Sequence, residues 1–260
     1  MPYVSKSKAN FALWHDVIAD AIGTDDREIG RRLELVERWR ADHWAFLTGT
    51  DLDGKPIIWT VDELDAEAPW KPFPGSRPEF GYLRHVAAEL MGPHKVVLVD
   101  KTRQVYATTL ACQLIRWINW RYEEQEIFFS RVHEESATKL INDKIRRPHG
   151  RMPVWVQRIM PITSEPKNVI TWTATGGTLT AVSQNFAESD ARGPTASLTV
   201  VDEAAYQPYF PEIYRAILPM RGRLWGLTTA NVGNRGAQVY RDLIMDGRPG
   251  YVGDGDDDAA

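Results

Sequence analysis

Apolar positions along the chain follow two different periods. Phe11, Trp14, Ile18 and Ile22 recur every three or four residues and predict an amphipathic helix, with a charged helix following over about 26–42. Tyr82, Val86 and Leu90 predict another helix, and Leu110, Leu114, Trp117 and Ile118 share one face of a helix over about 109–121. Further helices are expected at 134–147, 211–218 and 237–245. Between them lie short apolar runs at 95–99, 126–130, 198–201 and 224–228, each read as a buried strand. Segments 168–173 and 178–182 flank Gly176-Gly177, a hairpin signal. Residues 48–79 carry Asp51, Gly54 and the prolines Pro69, Pro72, Pro74 and Pro78; they read as an irregular or partly hairpin connection and the main boundary in the chain. Strands alternating with helices predict an α/β fold, with a mostly parallel central sheet flanked by helices after an N-terminal helical segment. In such sheets ligands bind where the strands end, so the residues just after each strand hold the candidate chemistry.

Composition narrows the class. Hydrophobic residues at 43% and charged residues at 25% are an ordinary globular balance. No apolar run approaches the roughly 20 residues of a membrane-spanning helix, and Met1–Asn10 is polar, without the pattern of a secretory leader. The expectation is a soluble protein of cytosolic type. The single Cys112 excludes a disulfide framework or Cys-rich metal site, and the six histidines form no HxxxH pair with a nearby acid. Of 35 acids, four (Asp254, Asp256, Asp257, Asp258) lie in the last seven residues; the rest of the chain is neutral, and 249–260 reads as an acidic, unstructured tail. Lys139, Lys144, Arg146, Arg147, Arg151, Arg158 and Lys167 make a local basic run, which suits a polyanion partner and suits a solvated helix face equally well. The ten Trp residues leave the N-terminal helices open to three readings: a lid over a base, a partner contact, or plain core.

Three strand ends stand out. After 95–99 comes Asp100-Lys101-Thr102-Arg103-Gln104-Val105-Tyr106-Ala107-Thr108-Thr109, a turn opening a helix. Free N–H groups and the positive dipole end there suit phosphate, a lysine can neutralise it, and a hydroxyl in the first helical turn can ligate Mg²⁺. The pattern GxxxxGK[ST] is absent: Tyr106 stands in place of its glycine and Ala107 in place of its lysine. The run Leu198-Thr-Val-Val-Asp202-Glu203 is sharper. A buried strand ending in two acids must offset a desolvation cost of several kcal/mol, and in P-loop ATPases the first acid serves Mg²⁺ and the second polarises the attacking water. The strand 224–228 ends in Thr228-Thr229-Ala230-Asn231, groups that suit either γ-phosphate sensing or a turn cap. A lysine-bearing loop, then an acid pair 101 residues on, then the Thr/Asn-ended strand, is the order of parts in a P-loop NTPase of the additional-strand, catalytic-glutamate type.

At this level the sequence resembles the ATPase domain of tailed-phage terminase large subunits, the motors that package DNA. Lys101-Thr102-Arg103-Gln104 with Thr108-Thr109 is similar to that family's deviant phosphate loop, with the lysine at its start. Asp42-His-Trp-Ala-Phe46-Leu47 and Lys71-Pro72-Phe73-Pro74 resemble its lead-in; Phe129-Ser130 with Ala137 and Leu140, Arg192-Gly193 ahead of Asp202-Glu203, and Thr228–Asn231 resemble its later motifs. The resemblance covers roughly 40–245 and divides the chain into a lead-in (1–75), an ATPase core (76–248) and the tail. It implies Mg²⁺ as cofactor and ATP as substrate. Lys101 and the loop through Val105, with Thr108 and Thr109, would bind nucleotide; Thr108 and Asp202 would hold Mg²⁺; Glu203 with Lys101 would be catalytic. Thr228, Thr229 and Asn231 would be the coupling motif, and Arg146, Arg147 or Arg151 would complete a neighbour's site in trans. The implied partners are double-stranded DNA, a portal or procapsid, a small terminase subunit and other copies in a ring, with the nuclease either on a separate chain or absent because this chain is an isolated domain, in the host cell cytoplasm and without a membrane. No nuclease domain with clustered acids is expected in this chain. Two rivals stand beside the motor: a catalytically silent nucleotide-binding scaffold, prompted by Tyr106 and Ala107, and a helicase-like DNA-dependent ATPase.

Overall fold

A computed structural model describes residues 11–23, 25–62, 65, 67–101, 106–163, 165–185, 196–219, 221–229, 231 and 235–245, with backbone only at 11–13. Seven strands form one sheet in the order β3 (Val96–Asp100), β9 (Arg223–Thr228), β8 (Leu198–Asp202), β4 (Glu126–Arg131), β7 (Gly177–Ser183), β6 (Val169–Trp172), β5 (Ile162–Thr163). The first five run parallel, and β6 and β5 are antiparallel additions. The Gly176-Gly177 signal makes the β6–β7 hairpin, with Gly176 at φ 71 in the turn. Strand β9 lies between β3 and β8, the inserted position of the additional-strand class.

The central strands are mostly apolar because both faces of the sheet are covered: all residues of β8 and β9 are buried. Alternate side chains go to opposite faces. Val97, Ile127, Phe129 and Val200 join the cluster under the N-terminal helices, whereas Val96, Leu98, Phe128 and Val201 meet the other cluster. The second face is closed by α9 (Phe210–Ile217) and α10 (Arg235–Met245), through Phe210, Ile213 and Tyr240.

On the first face lies α5 (Ala107–Arg121), buried nearly all round. It is sandwiched between the sheet and α1 (Phe11–Ile22), α2 (Asp26–Ala41), α3 (His43–Thr48) and α4 (Tyr82–Met91). Asp25 caps α2 by accepting from the backbone N–H groups of Arg27 and Glu28. Trp14, Trp39, Trp117 and Trp120 are buried among these helices, so those at Trp14 and Trp39 are core. Trp39 stacks on Trp155 of α8 (Val154–Ile159) at 5.7 Å. The Pro-rich stretch holds a short hairpin of β1 (Trp59–Val61) and β2 (Trp70–Pro72), anchored by buried Ile57, Ile58 and Phe73.

One expected helix differs. α6 (Glu134–Ile141) passes into a π turn at Asn142–Arg146 before the short α7 (Arg147–His149). Pro148 explains it: its nitrogen has no hydrogen to give the Lys144 carbonyl four residues back, and its ring would press on that carbonyl in a regular helix. Among the described residues no helix is long and apolar enough to cross a membrane.

A candidate nucleotide site at the carboxyl edge of the sheet

The parallel strands deliver the flagged residues to one edge. The Lys101 backbone N–H donates to the Thr228 carbonyl at 2.9 Å, carrying the β3–β9 pairing one residue past the strand. Residues Thr102, Arg103, Gln104 and Val105 lie outside the described residues, as do Ala230, Arg192-Gly193 and the acidic tail. The chain re-enters at Tyr106 with φ 53, immediately before α5. That is the left-handed conformation a glycine adopts freely and a tyrosine adopts at a cost of about 1–2 kcal/mol. The Tyr106 ring packs edge-on against Phe80 at 5.3 Å, which offsets part of that strain. The backbone thus keeps a glycine-like turn although the glycine is absent.

Thr108, in the first turn of α5, stands between lysine and acid. Lys101 Nζ donates to Thr108 Oγ1 at 2.7 Å, and Thr108 Oγ1 donates to Asp202 Oδ1 at 2.9 Å. Lys101 Nζ is 3.6 Å from Asp202 Oδ1. The Asp202 side chain is only 2% exposed, so these partners offset its desolvation. Thr109, one residue on, is buried at the same wall. Glu203 follows at φ 57, a second left-handed residue, turning the chain so that both acids border one cleft. The Glu203 side chain is 46% exposed, open to solvent where Asp202 is closed.

Arg131, at the end of β4, binds both acids. Its Nη2 lies 2.9 Å from Glu203 Oε1, and its Nε lies 3.1 Å from Asp202 Oδ2 in an ion-pair contact that is not an aligned hydrogen bond. Sequence reasoning missed it. The signal was available only through sheet order: β4 neighbours β8 with Ser130 opposite Val201, so Arg131 falls beside Asp202. Behind the acids, Gln207 donates to the carbonyls of Asp202 (2.7 Å) and Ser130 (3.2 Å), tying the two strand ends together.

The groups flagged at the end of β9 touch the turn after the acids and do not line the cleft. Thr228 Oγ1 accepts from the Ala205 N–H at 3.1 Å and donates to the Thr229 carbonyl at 3.0 Å, and Asn231 donates to the Ala205 carbonyl at 3.0 Å. The three arginines separate. Arg146 turns inward, donating to Asn142 and to the Val169 carbonyl at 2.6 Å. The guanidinium groups of Arg147 and Arg151 lie over Trp70 at 5.8 and 4.4 Å, away from the acid pair.

The cleft has a volume of about 770 Å³, ample for a nucleoside triphosphate. It is lined by Lys101, Thr108, Asp202 and Glu203 at the sheet edge, by Val61, Asp62 and Phe80, and by Lys139, Asp143 and Lys144. Among the described residues, no three His, Cys, Asp or Glu side chains cluster as metal ligands.

Sheet order and strand-end chemistry together define the P-loop NTPase fold of the additional-strand type. No family model and no curated protein matches the chain. Among solved structures it is similar to the HK97 bacteriophage large terminase, at 12% identity over 67% of this chain and 37% of that one, with a TM-score of 0.51. It is also similar to the large terminase of a thermophilic bacteriophage (12%, 63% and 42%, TM-score 0.48) and to the Thermus phage P74-26 large terminase ATPase domain (14%, 68% and 77%, TM-score 0.46). The chain therefore shares its fold with part of the HK97 large terminase, and it spans about two fifths of the length of the first two structures.

Proposed function

We propose that this chain is the ATP-hydrolysing motor domain of a phage DNA-packaging terminase, coupling Mg·ATP hydrolysis to translocation of double-stranded DNA into a procapsid. One observation carries the reading: Lys101, Thr108 and Asp202 are joined by hydrogen bonds at the carboxyl ends of β3 and β8, with Glu203 beside them. Mg²⁺ prefers hard oxygen ligands and keeps several of its waters, so a hydroxyl and a carboxylate suffice when phosphate oxygens complete the shell. Thr108 Oγ1 and Asp202 Oδ1, 2.9 Å apart, supply that donor pair and would hold the ion. Bound there, Mg²⁺ neutralises charge on the β- and γ-phosphates.

The remaining steps belong to the chain. Lys101 exchanges its bond to Thr108 for phosphate oxygens, and the N–H groups opening α5 add the helix dipole. Glu203, the more exposed acid, orients the attacking water and takes its proton. Thr228 and Asn231, bonded to the backbone two residues beyond Glu203, pass the state of the site to β9 and α10. Exposed Arg147 and Arg151 are the arginines offered to a neighbouring copy in a ring on the portal; Arg146 is held within its own chain. Within this reading, residues 1–75 are the lead-in, 76–248 the ATPase core and 249–260 the tail. A small subunit and the host cytoplasm complete the setting.

A second reading, a nucleotide-binding scaffold without turnover, is favoured by the ion pair tying Glu203 to Arg131. Phosphate release by wild type and Glu203→Gln, with Mg·ATP binding measured on both, separates the two. The motor reading expects equal binding and a rate about 10²–10⁴-fold lower in the variant. Wild type that binds Mg·ATP yet releases phosphate no faster than Glu203→Gln establishes the scaffold instead.

A further inference from the structure

One wall of the cleft is built by α6 and the π turn after it. Ser136, Lys139, Leu140, Asp143 and Lys144 line it at spacings of three and four, one stripe along a helix. The stripe ends where Pro148 forces the π turn, and the carbonyls released there find partners in α5. Gln113 Nε2 donates to the Lys144 carbonyl at 2.5 Å, and Arg116 Nη2 donates to the Ile145 carbonyl at 2.6 Å. Both donors are fully buried, one turn apart, on the helix whose first turn carries Thr108. Among the described residues no carboxylate pairs with Arg116; besides the Ile145 carbonyl it contacts Met152 Sδ at 3.1 Å. A buried cation spent on a single carbonyl and a thioether is an expensive way to hold a turn. The turn it holds is the one that presents Lys144.

Lys144 lines the same cleft as Lys101, Thr108 and Asp202. Cys112, one turn beyond Thr108 on α5, reports on the Lys144 charge. Its thiol is pushed up to about 12, first by burial and next by the Asp202 carboxylate, while Lys144, Arg116 and Arg131 pull it back down. Asp202 and Lys144 are thus within electrostatic reach of one buried atom.

We infer that Lys144 is a substrate-binding cation for the polyphosphate of the nucleotide, supplied by this chain's own α6 wall, and that Gln113 and Arg116 are positioning residues acting through the π turn. The inference rests on the nucleotide-site reading above and adds a second lysine of the same cleft to it. Its charge belongs to the substrate and not to a DNA backbone.

The test measures Mg·ATP and Mg·ADP binding to the full chain by calorimetry, together with KM and kcat, for wild type, Lys144→Met, Lys144→Arg and Gln113→Met. Lys144→Met is expected to weaken Mg·ATP binding and raise KM about tenfold, with Lys144→Arg restoring most of the loss. Gln113→Met, similar in volume but without the donor, is expected to raise KM about threefold with kcat within about twofold, a split that mere destabilisation does not produce. Arg116→Lys should show the same split where it folds, and Gln113→Met decides the matter where it does not. An unchanged KM in Lys144→Met overturns the proposal. So does a Lys144→Met chain that keeps its Mg·ATP affinity and loses affinity for a 40-base-pair duplex. An unchanged KM in Gln113→Met overturns the positioning role. Wild type that fails to bind Mg·ATP is a different result and refutes the nucleotide site itself.

Discussion

Half-buried cations at the sheet edge and buried arginines away from it are satisfied in different ways. At the sheet edge, Lys101 and Arg131 sit against Asp202 and Glu203. Away from it, Arg40, Arg116 and Arg223 donate to backbone carbonyls. Arg40 bonds the carbonyls of Trp120 (2.8 Å) and Arg121 (3.2 Å) where α5 ends, between the rings of Trp14 and Trp120. Arg223 does the same near the end of α4, at the carbonyls of Leu90 (2.7 Å) and His94 (3.0 Å). A cation on the last carbonyls of a helix meets orphan acceptors and the negative dipole end, and nothing diffusible replaces it. A cation on a carboxylate beside an open cleft can trade that partner for phosphate. Carbonyl-held Arg40, Arg116 and Arg223 build the scaffold, as does buried Arg32 paired with Glu28 on its own helix, whereas carboxylate-held Lys101 and Arg131 wait at the site.

That division yields ranked expectations. Arg40→Met should cost about 3 kcal/mol of stability, from lost charged hydrogen bonds and ring contacts, while leaving Mg·ATP affinity intact; urea unfolding beside a binding titration checks both. Burial already lowers its guanidinium to about 10, which marks how little water it meets. Lys101→Met should do the reverse. Mg·ATP affinity falls about 10–100-fold, or 1.5–3 kcal/mol, and unfolding shifts less than in Arg40→Met. If both variants lose stability and affinity alike, the two sets are not distinct.

The scaffold also has a pH signature. Burial, and secondarily the Arg116 charge, lower His149 to about 3 from an ordinary 6.5. Below pH 6.5 the unfolded chain takes up the proton that the folded chain refuses, so stability falls as pH drops from about 6.5 towards 3. At pH 5 the loss is about 2 kcal/mol, and His149→Gln should flatten that part of the stability–pH curve. A wild-type curve already flat between pH 7 and 5 contradicts it.

Much of the fold was legible in the sequence because both faces of the sheet are covered. Continuous apolar strands such as 198–201 and 224–228 stand out from amphipathic helices, and the structure extends or trims them by a residue or two. Gly176-Gly177 marked its hairpin by local chemistry alone. Arg131 was invisible because its meaning depends on β4 lying beside β8, two strands about 70 residues apart in sequence. The π turn was half legible. Pro148 closes the helix in sequence, but the donors that hold the freed carbonyls, Gln113 and Arg116, come from another helix. Tyr106 departed from the glycine pattern by residue type and kept it in backbone angle, a conformation that no propensity assigns to tyrosine.

The account turns on one shared ligand for Lys101, Thr108 and Asp202, and a crystal structure of the chain with Mg²⁺ and a non-hydrolysable ATP analogue tests it most directly. Phosphate oxygens about 3 Å from Lys101 Nζ and a metal about 2.1 Å from Thr108 Oγ1 are the predicted result. A nucleotide bound elsewhere, with the hydrogen bonds from Lys101 to Thr108 and from Thr108 to Asp202 intact, would contradict it.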